Sequence, residues 1–186
     1  MRKLTMTMGI ALLTTFIGAC ADHQIPASPV SPNDGASFTA SSNNDRVVSI
    51  FDACDGPTFT QADIDCSRQS GLTLEQFIAD LTARGSVGAW HFAPSNINVF
   101  AGQTLNVINR GGETHTFTEV KKYGGGVVQL LNDLSGNPVP APECLDPAHA
   151  NFIPSGGSHQ ESIDDKGTEL YQCCIHPWMR VVVNAK

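Results

Sequence analysis

The stretch that decides the fold lies near the C-terminus and reads Tyr171-Gln172-Cys173-Cys174-Ile175-His176-Pro177-Trp178-Met179-Arg180. A thiol at Cys173, an imidazole at His176 and a thioether at Met179 fall within this one short segment. Soft sulfur donors combined with an imidazole favour copper over hard cations such as Mg²⁺ and Ca²⁺. The segment therefore predicts three of the ligands of a copper site.

A fourth strong donor would complete that site, and the candidate is His115 in the segment Asn109-Arg110-Gly111-Gly112-Glu113-Thr114-His115. Two imidazoles, one thiolate and a long axial Met are the ligand set of blue-copper electron-transfer sites. His91, His149 and His159 lack neighbours of this kind and are interpreted as structural. The predicted metal ligands are therefore His115, Cys173, His176 and Met179.

The ligand loop resembles that of the cupredoxins, and within that family it is most similar to amicyanins and plastocyanins. Amicyanin-like domains carry Cys-x-x-His-Pro-x-Met, then a basic residue and a Val-rich strand, as residues 173–183 do here. The family also places an Asn six residues before the first His ligand, and Asn109 and His115 have this spacing. The resemblance covers residues 87–186. It implies an all-β fold, a Greek-key antiparallel β-sandwich, holding one type 1 copper ion.

Two residues depart from the family pattern beside the ligands. Cys174 stands where Ser or Thr usually follows the ligand Cys, and Thr116 stands where Asn often follows the first His. Strand alternation places Tyr171 and Cys173 on one face, and the pattern needs two residues between the thiolate and His176. Both points favour Cys173 as the thiolate, with Cys174 as the alternative.

The resemblance also implies how electrons would enter. It predicts that the ring edge of His176 reaches solvent through an apolar patch formed by Ile175, Pro177 and Trp178. Basic side chains around that patch would then meet an acidic redox partner. The candidates, chosen as neighbours in sequence, are Arg110, Lys121, Lys122 and Arg180.

The six cysteines divide by role. Cys20 is the lipidation candidate, and one of the adjacent pair at 173 and 174 is the thiolate ligand. The four that remain, an even number, indicate two disulfides in an oxidising compartment. Proximity favours Cys54 with Cys66, which leaves Cys144 with Cys174, although four cysteines allow three connectivities.

The first 19 residues have the pattern of a signal peptide. Arg2 and Lys3 precede an apolar run, Met8 to Ile17, that is too short to span a bilayer. The following Ile17-Gly18-Ala19-Cys20 resembles a bacterial lipobox, in which the Cys is acylated. The alternative is an ordinary secretory signal. Both predict an extracytoplasmic protein, periplasmic or on the outer surface, and the lipobox adds a membrane anchor.

The rest of the chain divides by composition. Residues 20–45, rich in Ser, Pro and Asn, are predicted to be a flexible tether. Residues 46–86 form an N-terminal extension with the first disulfide and a short helix, which Thr73 and Gln76 begin and Gly85 ends. Residues 87–186 form the copper domain, with an insertion at 121–165. Short apolar segments with Gly- and Pro-rich connections predict a β-sandwich there.

Several function classes are disfavoured. The net charge is −7 and the basic residues are not gathered into blocks, so no nucleic-acid partner is expected. Neither the paired His-x-His motifs of multicopper oxidases nor the Gly-x-Ser-x-Gly elbow of hydrolases occurs. The two Cys of a binuclear copper centre need three residues between them, and here they are adjacent. Zinc remains an alternative metal, although it rarely uses Met.

The predicted function is a mononuclear type 1 copper protein that carries single electrons between extracytoplasmic redox proteins and is not an enzyme. The first alternative is a periplasmic copper carrier or store without redox duty. The second is a module whose extension and insertion dock a larger membrane complex.

Overall fold

Ten strands and three short α-helices make up the computed structural model, which describes residues 46–186. The strands are β1 (Arg46–Phe51), β2 (His91–Ala93), β3 (Asn96–Val99), β4 (Gln103–Asn109), β5 (His115–Thr116), β6 (Thr118–Val120), β7 (Phe152–Ile153), β8 (Ser158–Ile163), β9 (Gly167–Gln172) and β10 (Arg180–Ala185). The helices are α1 (Gly56–Thr60), α2 (Leu74–Arg84) and α3 (Gln129–Leu134), and a 3₁₀ turn covers Pro142–Leu145.

The strands form two four-stranded sheets and one small ribbon. The first sheet has the order β2-β1-β4-β8, the second has the order β3-β10-β9-β6, and β5 pairs with β7. The predicted β-sandwich is therefore confirmed. Two pairings, β1 with β4 and β3 with β10, are parallel rather than antiparallel. Long connections separate these partners in sequence, so no hairpin forces them to run in opposite directions.

Alternation along the strands buries one face of each sheet. In β4, Leu105 and Val107 are buried, and in β10 Val181 and Val183 are buried, while the residues between them are partly exposed. All four belong to one continuous hydrophobic cluster, so the two sheets pack on a shared core. Burial of such apolar side chains is the main stabilising term of the sandwich.

Helix α2 begins and ends where its sequence predicts. The Thr73 hydroxyl accepts a hydrogen bond from the Gln76 backbone N–H at 3.2 Å, and the Gln76 side chain accepts one from Thr73 N–H at 3.0 Å. Gly85 ends the helix with a φ of +68°, a left-handed conformation that suits glycine. The buried face of α2, Phe77 and Leu81, joins the main core.

The extension and the insertion both contribute strands to the sandwich. Residues 46–51 form β1, which lies between β2 and β4 inside the first sheet, so this part of the extension is integral to the fold. The insertion 121–165 supplies α3, β7 and the edge strand β8. The predicted signal peptide 1–19 and tether 20–45 lie outside the described residues. Within residues 46–186, no helix is long and apolar enough to cross a membrane.

Candidate metal centre

Three of the four predicted ligands converge in the core. Cys173 Sγ lies 3.8 Å from His115 Nδ1 and 3.7 Å from His176 Nδ1. All three donor atoms lie within 4.8 Å of one another, and all three residues are buried. A thiol and two imidazoles that face one point are the soft and borderline donors that copper prefers. The donor set therefore fits a copper ion.

The ligand loop between β9 and β10 is closed by its own backbone. The Cys173 N–H donates to the Met179 carbonyl at 3.0 Å, and the Met179 N–H donates to the His176 carbonyl at 2.9 Å. The Met179 side chain is 1% exposed and belongs to the same hydrophobic cluster as Cys173. The loop thus holds all three of its candidate ligands inside the protein.

Asn109 fixes the loop that carries His115. Its amide nitrogen donates to the carbonyls of Glu113 and Ile153, at 2.8 and 2.9 Å, and its amide oxygen accepts from the Gly111 N–H at 2.9 Å. The Asn six residues before the His therefore acts as a clamp. It joins the end of β4 to the β5–β7 ribbon that positions His115.

Thr116 locks the two ligand loops together. Its hydroxyl accepts a hydrogen bond from the Cys174 backbone N–H at 2.7 Å, and its own N–H points to Cys173 Sγ at 3.4 Å. A backbone N–H directed at the sulfur stabilises negative charge on it. The two residues that depart from the family pattern, Thr116 and Cys174, are therefore hydrogen-bonded to each other, through the Thr hydroxyl and the Cys174 backbone N–H.

Asp52, which follows β1, holds the far side of His115. Its Oδ2 lies 2.9 Å from His115 Nε2, and the carboxylate also accepts from the backbone N–H groups of Gly112 and Glu113 at 2.9 and 3.0 Å. A Cβ at Gly111 would lie 2.0 Å from Asp52 Oδ2, so only glycine permits this approach. With Nε2 directed to a carboxylate, Nδ1 is left for a metal, as in many metal sites.

The charges of this pair reinforce each other. Burial opposes ionisation of Asp52, but hydrogen bonds from His115, Glu113 N–H and Gly112 N–H outweigh it and lower the carboxyl pKa to about 2. Burial also opposes a charged imidazole, yet hydrogen bonds with Asp52 and Cys173 raise the pKa of His115 to about 9. A metal needs the imidazole neutral, so metal binding at this site must release a proton.

The environment also favours the thiolate form of Cys173. Burial would raise the pKa of this thiol, but hydrogen bonds with His115 and His176 outweigh it and lower the pKa well below its usual value. The thiolate is the form that binds metals. The thiol is therefore held in its metal-binding form, while the His115 imidazole must still lose its proton.

Glu113 lies on the Nε2 side of the His176 ring, as Asp52 does for the His115 ring. Its Oε2 lies 3.7 Å from His176 Nε2 and accepts a hydrogen bond from the Trp90 indole N–H. Burial raises the pKa of Glu113 above its usual value, and the charge of His176 and the Trp90 hydrogen bond act in the opposite direction. Each of the two imidazoles thus has a buried carboxylate on the side away from Cys173.

The expectation that His176 reaches solvent is wrong. Its side chain is 2% exposed, because Phe77 of α2 and Trp178 lie against the ring, at centroid distances of 6.4 and 5.4 Å. Pro177 is buried as well. The extension therefore covers the ring edge that the family resemblance predicts to be open.

The candidate basic side chains have varied surroundings. The Arg180 guanidinium donates to the Pro177 carbonyl and to Asn137, at 2.9 and 2.6 Å, and therefore holds the ligand loop. Arg110 donates to Ser49 Oγ at 3.1 Å. Lys121 and Lys122 are exposed after β6.

Two disulfides surround the site. Cys54 is bonded to Cys66 and Cys144 to Cys174, which is the pairing that proximity in sequence favours. Cys173 is the free cysteine of residues 46–186, so the alternative thiolate at Cys174 is already engaged. The second bridge ties the 3₁₀ turn of the insertion to the residue beside the predicted ligand.

Sequence reasoning missed the two carboxylates and Trp90. Asp52 lies 63 residues before His115, and no local pattern connects them. Glu113 stands two residues before His115, in a Gly-Gly-Glu-Thr-His segment where an acidic residue preceded by two glycines is an available signal. Only the tertiary fold brings these groups to the imidazoles.

Comparisons with known proteins gave structural matches only. No protein-family model matches the sequence, and no curated protein matches it. A purple cupredoxin from Nitrosopumilus maritimus is similar, with a TM-score of 0.42 and 17% identity over 76% of this chain and 100% of that chain. An oxidized mutant of amicyanin gives 0.39 and 14%, over 80% and 88%. Amicyanin from Paracoccus versutus gives 0.36 and 15%, over 54% and 77%.

Proposed function

We propose that this protein is a cupredoxin-like, mononuclear type 1 copper protein that carries single electrons between extracytoplasmic redox partners. The observation that carries the proposal is the buried triad of His115, Cys173 and His176, whose two Nδ1 atoms face one sulfur. Met179 is the proposed axial ligand, since it is buried at the end of the same loop. This is the donor set of blue-copper sites.

The protein's own contribution is to fix the donors and to exclude water. Asp52 holds the His115 ring, Thr116 joins the two ligand loops, and the Arg180 guanidinium fastens the ligand loop at Pro177. When bound, copper supplies a reversible one-electron couple. Donors that cannot move keep the geometry similar in both oxidation states, so an electron can transfer with little rearrangement.

Burial of the ligands also distinguishes this function from copper delivery. A carrier must pass its ion to a partner and therefore benefits from exposed ligands. Here His115 and Cys173 are 0% exposed and His176 is 2% exposed. Electrons can cross the Phe77 and Trp178 rings that cover His176, but an ion could leave only if the ligand loops opened.

The test is the absorption and electron-paramagnetic-resonance spectrum of the copper-loaded protein, followed by a redox titration. We expect an intense visible band from thiolate-to-copper charge transfer and a reversible one-electron couple. Preferential retention of zinc, or copper release without redox cycling, would contradict the proposal.

Met179→Leu is expected to leave copper bound but to shift the reduction potential. The axial Met is a weak ligand that tunes the potential, whereas the two His and the Cys hold the ion. Leu has a similar volume, so the core should repack at a cost below about 1.5 kcal/mol. Protein-film voltammetry measures the shift, and Val139→Leu, at a side chain that is 74% exposed, is the control. An unchanged potential would remove Met179 from the ligand set.

The proposed location is extracytoplasmic, with a lipid anchor at Cys20. Two disulfides in the described part of the chain support an oxidising compartment. Cys20→Ser is expected to move the protein from the membrane fraction to the soluble fraction, because the acylated thiol is lost. Ser28→Ala, in the predicted tether, serves as the control in the same fractionation and should stay with the membrane. If the Cys20→Ser protein also stays there, acylation is not the anchor.

A further inference from the structure

An apolar cavity lies beside the proposed copper site. Its volume is about 440 Å³, within the range of roughly 300–1,000 Å³ that is usual for small-molecule sites. Its walls come from α1, α2, α3 and the ligand loop, and they include Phe59, Phe77, Ile78, Leu131 and Ile175. Apolar walls of this size bind molecules that water solvates poorly.

The mouth of the cavity is also apolar. Three of the large hydrophobic side chains that remain exposed in residues 46–186 line it: Ile64 at 37%, Val128 at 36% and Leu130 at 59%. Clustered exposed apolar side chains mark places where a ligand or partner binds. The cluster continues inward to the buried walls, which favours a molecule that enters the cavity.

Two polar side chains line this cavity, Glu113 and His176, and both are more than nine-tenths buried. Glu113 Oε2 accepts the Trp90 indole hydrogen bond, while none of the described residues donates to Oε1. A carboxylate oxygen without a protein donor, on a side chain that lines an apolar cavity, gains strongly from a ligand that supplies one. The donor on that ligand should be neutral, because an ammonium ion would lose its hydration among apolar walls.

We propose that this cavity binds a small, neutral aromatic molecule bearing a hydroxyl group, a phenol or hydroquinone in chemical class, with the O–H donated to Glu113. The rings of Phe59 and Phe77 provide aromatic walls for it. The bound molecule would contact the His176 imidazole, so its site and the metal site share a wall. Binding itself does not depend on the proposed copper function.

In the test, phenol, toluene and benzylamine are each titrated into the full chain without added metal, and calorimetry measures their binding. Phenol is expected to bind saturably and about tenfold more tightly than toluene, because only phenol gives Glu113 a charge-assisted hydrogen bond. Glu113→Gln should remove most of this preference while leaving toluene binding nearly unchanged. Since no copper is present, failure here would leave the electron-transfer proposal intact.

A second variant does not touch the buried carboxylate. Leu130→Glu at the exposed mouth should weaken both phenol and toluene at least about threefold, since a charge replaces apolar contact. Val139→Glu is the matched control, because Val139 is 74% exposed and does not line the cavity. The proposal would be overturned by any of three results. These are equal affinity for phenol and toluene, equal effects of Leu130→Glu and Val139→Glu, or tighter binding of benzylammonium than of phenol.

Discussion

Cys173→Ser is expected to abolish the intense visible absorption of the copper-loaded protein. That absorption requires a thiolate bound to the ion, and Cys173 is the free cysteine among residues 46–186. A Ser hydroxyl is a hard, protonated donor at neutral pH and cannot replace the thiolate toward a soft ion. Absorption spectra of equal amounts of copper-loaded protein measure the effect, and copper analysis of the same samples reports how much affinity is lost.

The matched control removes the neighbouring sulfurs instead. A Cys144→Ser, Cys174→Ser double variant loses the disulfide beside the site but keeps the thiolate. It should retain the colour and lose about 3–4 kcal/mol of stability, the usual value for a closed loop of this length. If colour survives in Cys173→Ser and disappears in the double variant, the ligand assignment is reversed.

Asp52→Ala is expected to destabilise the protein by about 3–5 kcal/mol, the usual cost of removing one partner of a buried ion pair. Asp52 is 5% exposed, and its carboxylate contacts His115 Nε2 and accepts from three backbone N–H groups, those of Cys54, Gly112 and Glu113. These donors would all be buried without an acceptor. Loss of such a supporting carboxylate also typically weakens metal binding by about 10–100-fold. Urea unfolding and copper competition titrations measure the two effects.

Asp164→Ala is the control for the loss of a carboxylate, because Asp164 is exposed after β8. It should change stability by no more than about 0.5 kcal/mol. A cost below about 1 kcal/mol for Asp52→Ala, or unchanged copper affinity, would show that the His115 ring is held by something other than this carboxylate.

The parts of the molecule that sequence predicts are those defined by local patterns. The ligand loop, the capped helix α2 and the alternating strands β4 and β10 each depend on residues a few positions apart. Cys173 and His176, for example, are three residues apart and meet at 3.7 Å. The position of His115 is less local, but the Asn109 clamp beside it is again a short-range pattern.

The parts that sequence misses depend on contacts between distant segments. The partnership of Asp52 with His115 requires β1 to lie against β4 in a particular parallel register. The burial of His176 requires α2 to place Phe77 over the ring, although nothing in the ligand loop itself indicates a cover. The family resemblance covers residues 87–186, so it contains no information about either contact.

The position of β1 has a consequence for where the functional unit starts. All four predicted ligands lie in residues 87–186, yet a fragment with those limits would leave β2 and β4 without the strand between them. It would also leave the His115 ring unsupported on its Nε2 side. The smallest self-sufficient unit therefore includes Arg46. Cleavage of the chain between Cys66 and α2, outside the loop closed by the Cys54–Cys66 disulfide, would break the covalent link between Asp52 and His115 while sparing every donor atom.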